Sequence, residues 1–234
     1  MRIALMIFSV IFAFPIYLIR LAIFGKSKNW DRIKAYEYIQ KRAINANRHG
    51  RVKVDVHGVE NLPDKDGFVL FPNHQGMYDM LVFFESCPRP FAFVAKHETK
   101  NIPLLKQTIA ATHSLTMDRK DLRQSMGVIQ EMTRRIKEGE NFVIFAEGTR
   151  SRMGNKMNEM KAGSFKSAVK AEAPIVPVAL MDCFKPFDEG SVKKVTVKAF
   201  YLKPLYFDEY KDMSTQEIAA EVKRRIEETI AANS

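Results

Sequence analysis

Short apolar runs alternate with amphipathic stretches along most of this chain, a pattern typical of a sheet covered by helices. The apolar runs and one alternating segment predict extended structure at residues 68–71, 91–95, 114–117, 141–145, 175–180 and 192–200. Apolar positions spaced three and four residues apart predict helices at residues 79–85, 102–112, 122–137 and 215–231. We therefore predict an α/β fold with a mixed, mainly parallel sheet covered by helices.

Residues 1–24 differ from the rest of the chain because they are almost entirely apolar. Ser9 is the only polar side chain in residues 3–14. A helix of this length reaches about 36 Å, enough to cross a bilayer, but Pro15 can kink it and Arg20 is costly unless it lies near the interface. We expect a membrane-anchoring helical segment, either a clean span, a kinked anchor or a half-inserted hairpin. A cleavable signal peptide is disfavoured because no small-x-small site follows the apolar run.

Positive charge is concentrated directly after this apolar segment. The chain has a net charge of +10, and residues 26–53 contain nine basic residues against two acidic ones. Such a segment attracts anionic lipids and favours retention of the following domain on the cytoplasmic face of a membrane, although a solvated basic helix face explains it equally well. Nucleic acid is not an expected partner, because no stretch interleaves aromatic and basic residues. We predict an anchor and basic linker helix at residues 1–55 and an α/β domain at residues 56–234.

Composition limits the remaining choices. A chain of 234 residues with 46% hydrophobic content fits one sizeable α/β domain plus a short appendage. Cys87 and Cys183 lie far apart and show no metal-ligand spacing, so packing in a reducing compartment is their simplest interpretation.

Two polar motifs follow predicted strands. In the first, His74 lies five residues before Asp79, so the carboxylate can hold the imidazole in one tautomer while its other nitrogen accepts a proton. The second motif spans residues 145–152 and combines a glycine turn with cations suited to a phosphate or carboxylate. Together they indicate hydroxyl activation beside an anion. Taken alone, a His74–Asp79 pair that only caps a helix would be the simpler interpretation.

Four blocks in order resemble the 1-acyl-sn-glycerol-3-phosphate acyltransferase (lysophosphatidic acid acyltransferase) family. They are Asn73, His74 and Asp79; Ala95-Lys96 with Ile102-Pro103 and Met117-Asp118-Arg119; residues 145–152 with Lys161-Ala162-Gly163; and residues 175–178. The resemblance covers about residues 68–182. It implies that the predicted domain at 56–234 is an acyltransferase catalytic domain with the glycerolphosphate acyltransferase-like fold.

The resemblance implies acyl transfer from an acyl thioester, acyl-CoA or acyl carrier protein, to lysophosphatidic acid, giving phosphatidic acid. His74 would be the general base and Asp79 its orienting carboxylate, with no cofactor and no metal. The residues expected to bind substrate are Lys96, Arg119, Glu147, Gly148, Thr149, Arg150 and Lys161. Glu147 would position its loop or contact the acceptor's glycerol, or it would pair with Arg150 or Arg152.

Several alternatives stay open. Gly76, His113 and Ala146 depart from the family pattern, so glycerol-3-phosphate or a lysophospholipid could be the acceptor instead. A non-catalytic membrane protein that binds anionic lipid is the rival outside the enzyme class. A serine hydrolase is disfavoured because no G-x-S-x-G motif occurs, and a metal enzyme would need Glu147 as a third ligand beside His74 and Asp79.

Overall fold

The computed structural model describes residues 2–8, 14–27, 31–118 and 120–234, and its centre is a sheet. The strands are β1 Val52–His57, β2 Val69–Pro72, β3 Phe91–Lys96, β4 Leu115–Met117, β5 Asn141–Val143, β6 Ile175–Met181 and β7 Val195–Tyr201. Their spatial order is β1-β7-β6-β2-β5-β3-β4. From β6 to β4 neighbouring strands are parallel, whereas β7 runs antiparallel to β6 and β1 lies parallel to β7.

Helices cover both faces of this sheet. They are α1 Arg2–Phe8, α2 Phe14–Lys26, α3 Arg32–His49, α4 Asp79–Ser86, α5 Leu105–Ala111, α6 Leu122–Lys137, α7 Lys166–Ala171, α8 Lys185–Asp188, α9 Phe207–Tyr210 and α10 Thr215–Ala232. Tyr36 of α3 and Phe83 of α4 are buried in the core on one face, and Met132 of α6 and Ile226 of α10 are buried in the core on the other. The predicted mixed, mainly parallel sheet covered by helices is confirmed.

The parallel strands place their carboxyl ends at one edge of the sheet. The loops that follow β2, β5 and β6 therefore meet there, as open α/β sheets commonly arrange their sites. The predicted strand at 141–145 is shorter, ending at Val143, because the chain turns into the second motif. The predicted helix at 102–112 begins only at Leu105, since Pro103 precedes it and Leu104 has a φ of 70°.

Residues 32–49 of the basic segment after the apolar N-terminus form α3, which packs on the domain. Asp31 caps its start by accepting a hydrogen bond from the Lys34 N–H at 3.0 Å. Asn47, buried near its end, donates to Glu85 of α4 at 2.6 Å. Strand β1 then crosses the boundary predicted at residue 55 without interruption.

The apolar N-terminal segment contains two described helices, α1 and α2, separated by residues 9–13, which lie outside the described part of the chain. Leu21 of α2 is completely buried, and an added Cβ on Gly25 would lie 2.6 Å from the Cβ of Ala110 on α5. One face of α2 therefore packs against the domain, while Ile19 and Ile23 remain about 60% exposed. Within the described ranges, no helix combines the length and the apolar character that crossing a bilayer requires.

The first helix is also tied to the domain by hydrogen bonds. The buried guanidinium of Arg2 donates to the carbonyl oxygens of Gly50 at 2.5 Å, Lys193 at 2.8 Å and Pro186 at 3.0 Å. Gly50 lies just before β1, Lys193 lies just before β7 and Pro186 lies in α8, all at the sheet edge where the parallel strands end. The N-terminal helix thus begins beside the edge that carries the polar motifs.

Candidate active site

The loop between β2 and α4 holds His74 and Asp79 in direct contact. Asp79 is the first residue of α4, and its Oδ2 lies 2.7 Å from Nδ1 of His74. The same carboxylate accepts the backbone N–H of Gln75 at 2.9 Å and that of Gly76 at 3.1 Å. Because an ionised carboxylate can only accept, Nδ1 of His74 carries the proton and Nε2 is left as the basic nitrogen.

Burial differs sharply within this pair. The side chain of Asp79 is 1% exposed, whereas that of His74 is 22% exposed and can meet a substrate. Burial raises the pKa of the Asp79 carboxyl, and the hydrogen bonds from His74, Gly76 and Gln75 act in the opposite direction. The Phe145 ring lies with its centroid 4.2 Å from that of the imidazole and limits its rotation. The pair has the geometry of an oriented general base.

Glu147 joins the second motif to the first. Its Oε1 accepts the backbone N–H of His74 at 2.6 Å, and its Oε2 accepts that of Asn158 at 2.7 Å. The backbone N–H of Ser151 in turn donates to the His74 carbonyl at 2.9 Å. Glu147 is 3% exposed, and this burial raises the pKa of its carboxyl. It makes no ion pair with Arg150 in this structure, so the geometry favours the loop-positioning role among the alternatives for Glu147.

The basic residues expected to bind substrate differ in their surroundings. Arg150 and Lys161 make no ion pair with a carboxylate in the described part of the chain, whereas Lys96 pairs with Glu98 at 2.9 Å on the surface. Arg119 lies outside the described residues. Arg150 is half-buried and Lys161 is exposed, and both are positioned by loops at the same sheet edge as His74.

The backbone N–H groups of Gly76 and Gly148, the glycines of the two motif loops, already donate hydrogen bonds within the protein. Gly148 has a φ of 80°, and its N–H donates to the Phe145 carbonyl at 3.1 Å in a tight turn, which leaves Thr149 exposed beside it. The N–H of Gly76 donates to Asp79. A Cβ on Gly76 would lie 3.2 Å from the Cys183 carbonyl oxygen, which explains why a residue without a side chain fits here.

Sequence reasoning missed a group of side-chain amides around the histidine loop. The Asn73 side chain accepts from the Leu180 N–H at 2.7 Å and donates to its carbonyl at 2.9 Å, so β2 is clamped to β6. Gln75 and Asn155 hydrogen-bond each other at 2.7 Å. No sequence signal could have identified this pair, because its partners lie 80 positions apart in irregular loops.

His113 and the basic end of α6 lie away from this cluster's hydrogen bonds. Burial lowers the pKa of His113, and its carbonyl accepts from Arg135 at 2.8 Å. Arg135 also pairs with Glu140, and Arg134 pairs with Glu131 at 2.7 Å and with Glu138 at 2.6 Å. These charges are therefore largely neutralised within the protein. Among the described residues, no group of three or more His, Cys, Asp or Glu side chains is arranged to hold a metal ion.

The fold and the site define an α/β protein with an oriented histidine base at the carboxyl ends of its parallel strands. A model of the Acyltransferase family matches residues 53–181, more than half of the chain, and the protein belongs to that family.

Relatives carry a consistent name. The chain is 32% identical over 129 residues to the 1-acyl-sn-glycerol-3-phosphate acyltransferase of Borreliella burgdorferi, covering 55% of this chain and 51% of that protein. It is 29% identical over 164 residues to the enzyme of the same name from Escherichia coli, covering 70% and 66%. The chain thus spans about half the length of the first curated relatives it matches. The crystal structure of the 1-acyl-sn-glycerophosphate acyltransferase PlsC from Thermotoga maritima superimposes with a TM-score of 0.73 at 26% identity, covering 96% of this chain and 92% of that one.

Proposed function

We propose that this protein transfers an acyl group from acyl-CoA or acyl carrier protein to the free hydroxyl of 1-acyl-glycerol-3-phosphate, giving phosphatidic acid for phospholipid synthesis. The observation that carries the proposal is the His74–Asp79 contact of 2.7 Å, with a partly exposed imidazole at the strand-end edge. The loops at that edge also carry Arg150 and Lys161, which pair with no described carboxylate. Family membership and the names of the relatives support the same reaction.

His74 acts as the base in this reaction. Its Nε2 takes the proton of the lipid hydroxyl while that oxygen attacks the thioester carbonyl carbon. The C–S bond of the resulting tetrahedral intermediate then breaks, and the departing thiolate receives the proton from the imidazolium. Asp79 stays ionised and stabilises the charged ring. Oriented base catalysis of this kind gives about 10²–10⁴-fold, and alignment of the two substrates supplies much of the remainder.

The headgroup phosphate is bound by the basic residues that the resemblance assigns to substrate binding. Arg150 is the first candidate, because a guanidinium binds two phosphate oxygens at once and this one is not already neutralised by a described carboxylate. Lys161 adds a point charge, and Arg119 is assigned from the sequence resemblance. Lys96 would have to exchange Glu98 for the phosphate, which makes it a weaker ligand. Glu147 acts through the loop, as its two hydrogen bonds indicate.

We also propose that α1 and α2 lie at a membrane surface, with the catalytic edge on the cytoplasmic side. The support is the exposed apolar face of α2, where Ile16, Ile19 and Ile23 are 57–61% exposed, next to the basic residues that follow. The hydrogen bonds of Arg2 keep α1 beside the strand-end edge. An amphipathic substrate could then reach His74 without leaving the lipid interface.

The test offers the full chain lysophosphatidate, glycerol-3-phosphate and a panel of lysophospholipids, each with acyl-CoA and with acyl carrier protein, and identifies products by mass spectrometry. The proposal expects phosphatidic acid from lysophosphatidate and its loss in His74→Ala. A product from another acceptor alone would reassign the substrate. Unchanged turnover in His74→Ala would remove the mechanism, and vesicle binding without any turnover would identify a lipid-binding protein.

A further inference from the structure

A pair of side-chain amides, Gln75 buried and Asn155 half-buried, connects three loops around the catalytic histidine. Gln75, in the loop after β2, accepts the backbone N–H of Cys183 at 2.7 Å and donates to Asn155 at 2.7 Å. Asn155, in the loop after β5, accepts the Asp182 N–H at 2.8 Å and donates to the Asp182 carboxylate at 3.1 Å. Cys183 and Asp182 belong to the turn after β6. Both amides use a donor and an acceptor, which leaves neither of them free to flip without losing hydrogen bonds.

The same stretch of backbone orients the catalytic carboxylate. The N–H groups of Gln75 and Gly76 both donate to Asp79, so the position of the 75–76 peptide fixes where the carboxylate points. Gly76 lies against the turn after β6, with Cys183 and Phe184 backbone atoms 3.2 and 3.3 Å from the place of a Cβ. A shift of the loop relative to that turn therefore changes the donors of Asp79.

We propose that Gln75 and Asn155 are positioning residues, which act on the reaction through Asp79 and the imidazole without touching either substrate. The inference rests on the proposed acyl transfer by His74. Nothing in the family assignment or in the names of the relatives gives these two residues a role.

Because the Asn155–Asp182 hydrogen bond has a defined donor and acceptor, exchanging the two side chains should restore a bond that a single substitution breaks. Asn155→Asp removes the amide donor and places a carboxylate oxygen beside the Asp182 carboxylate. Adding Asp182→Asn reverses the direction of this hydrogen bond, because the amide at position 182 now donates to the carboxylate at position 155. The other oxygen at position 155 still accepts from Gln75 and from the backbone N–H of residue 182. Asp182 has a φ of 62°, a conformation that asparagine adopts readily, so the double variant adds no backbone strain.

Kinetics form the first readout. We expect Asn155→Asp to lower kcat by about tenfold or more with both KM values within about twofold, and the double variant to return to within about threefold of wild type. Gln75→Leu should lower kcat by a similar factor in the wild-type background. It should hardly lower kcat when Asp79→Asn is already present, because the carboxylate that Gln75 positions is then absent. Gln40→Leu on α3 is the matched control, since it removes a half-buried amide hydrogen bond to the Cys87 carbonyl oxygen after α4 and should leave kcat unchanged.

The second readout needs no substrate. In ¹⁵N-histidine-labelled protein, the strongly deshielded Nδ1 proton of His74 reports its hydrogen bond to Asp79. We expect that resonance to be absent in Asp79→Asn, broadened or shifted upfield in Asn155→Asp, and restored in the double variant. The inference would be overturned if both Asn155→Asp and Gln75→Leu left the resonance and kcat unchanged. It would also be overturned if Gln75→Leu lowered kcat by the same factor with and without Asp79→Asn. If the wild type transfers no acyl group, the proposed function fails, whereas the resonance still tests the positioning.

Discussion

Replacing Glu147 with glutamine tests whether this carboxylate holds the catalytic loop or binds the acceptor. In the structure both oxygens accept backbone N–H groups, those of His74 at 2.6 Å and Asn158 at 2.7 Å. Glutamine has one acceptor oxygen, so one N–H keeps a partner and the other faces an amide that can only donate. The substitution therefore breaks the connection on one side without changing the size of the side chain.

The free-energy change follows from those two contacts. A hydrogen bond to a charged group contributes about 1.5–3 kcal/mol, and the bond that survives becomes neutral and weaker. Relief of the buried charge, whose cost is reflected in the raised pKa of Glu147, offsets part of this loss. We expect a net destabilisation of about 2 kcal/mol, which in a chain of this size lowers Tm by about 4–8 °C.

Catalysis should change together with stability in this variant. A displacement of about 1 Å at His74 can cost about 10²-fold in rate, so kcat should fall about 10–100-fold with the acceptor KM within about twofold. Thermal unfolding and steady-state kinetics at varied lysophosphatidate measure the two effects. Glu159→Gln is the matched control, because that carboxylate is 86% exposed on the surface and pairs with Lys223. An unchanged Tm with an acceptor KM raised tenfold would show that Glu147 binds the acceptor and would refute the positioning role.

Further substitutions probe the base, the phosphate site and the membrane face. Asp79→Asn should lower kcat about 10²–10⁴-fold, because the imidazole loses its tautomer, and near-wild-type kcat would contradict the mechanism. Burial raises the folded-state pKa of Asp79, so its ionisation destabilises the wild-type fold increasingly as pH rises above about 4. The Tm of Asp79→Asn minus the Tm of wild type, measured by scanning fluorimetry, should therefore grow from about pH 4 to about pH 7. A difference that shrinks over this range would contradict the raised pKa. Arg150→Ala should raise the lysophosphatidate KM at least about tenfold but not the donor KM, and more than Lys96→Ala does, since Lys96 is already ion-paired. Ile19→Ser combined with Ile23→Ser should weaken sedimentation with anionic vesicles at least about tenfold at unchanged kcat on a micellar acceptor, whereas full retention would place the lipid contact elsewhere.

The elements that sequence reasoning located best are those whose signals are local. Helix α6 has the predicted bounds of 122–137 because its apolar spacing agrees with the Asp121 cap, which accepts the Gln124 N–H at 2.9 Å. Its end agrees as well, since Gly139 after it has a φ of 86° and can adopt the left-handed conformation that stops a helix. His74 and Asp79 are separated by a single loop, so their contact could also be anticipated from spacing.

Contacts between distant loops could not be anticipated in the same way. The Gln75–Asn155 bond and the clamp from Asn73 to Leu180 depend on how β5 and β6 flank β2, which no short motif encodes. Hydrophobicity also did not predict which apolar side chains of the N-terminal helices pack against the protein and which remain exposed. Leu21 and Ile23 read alike in the sequence, yet the first is buried against the protein and the second is 61% exposed.

The arrangement of these contacts separates catalysis from recognition in the proposed enzyme. The backbone of His74 is held on both sides, by Glu147 at its N–H and by Ser151 at its carbonyl, so the position of the base is set during folding. Arg150 lacks such described partners and lies in a half-exposed turn. Substitutions in that turn should therefore change which acceptor is bound while kcat for a bound acceptor is preserved, and divergence in acceptor choice can occur there without dismantling the base.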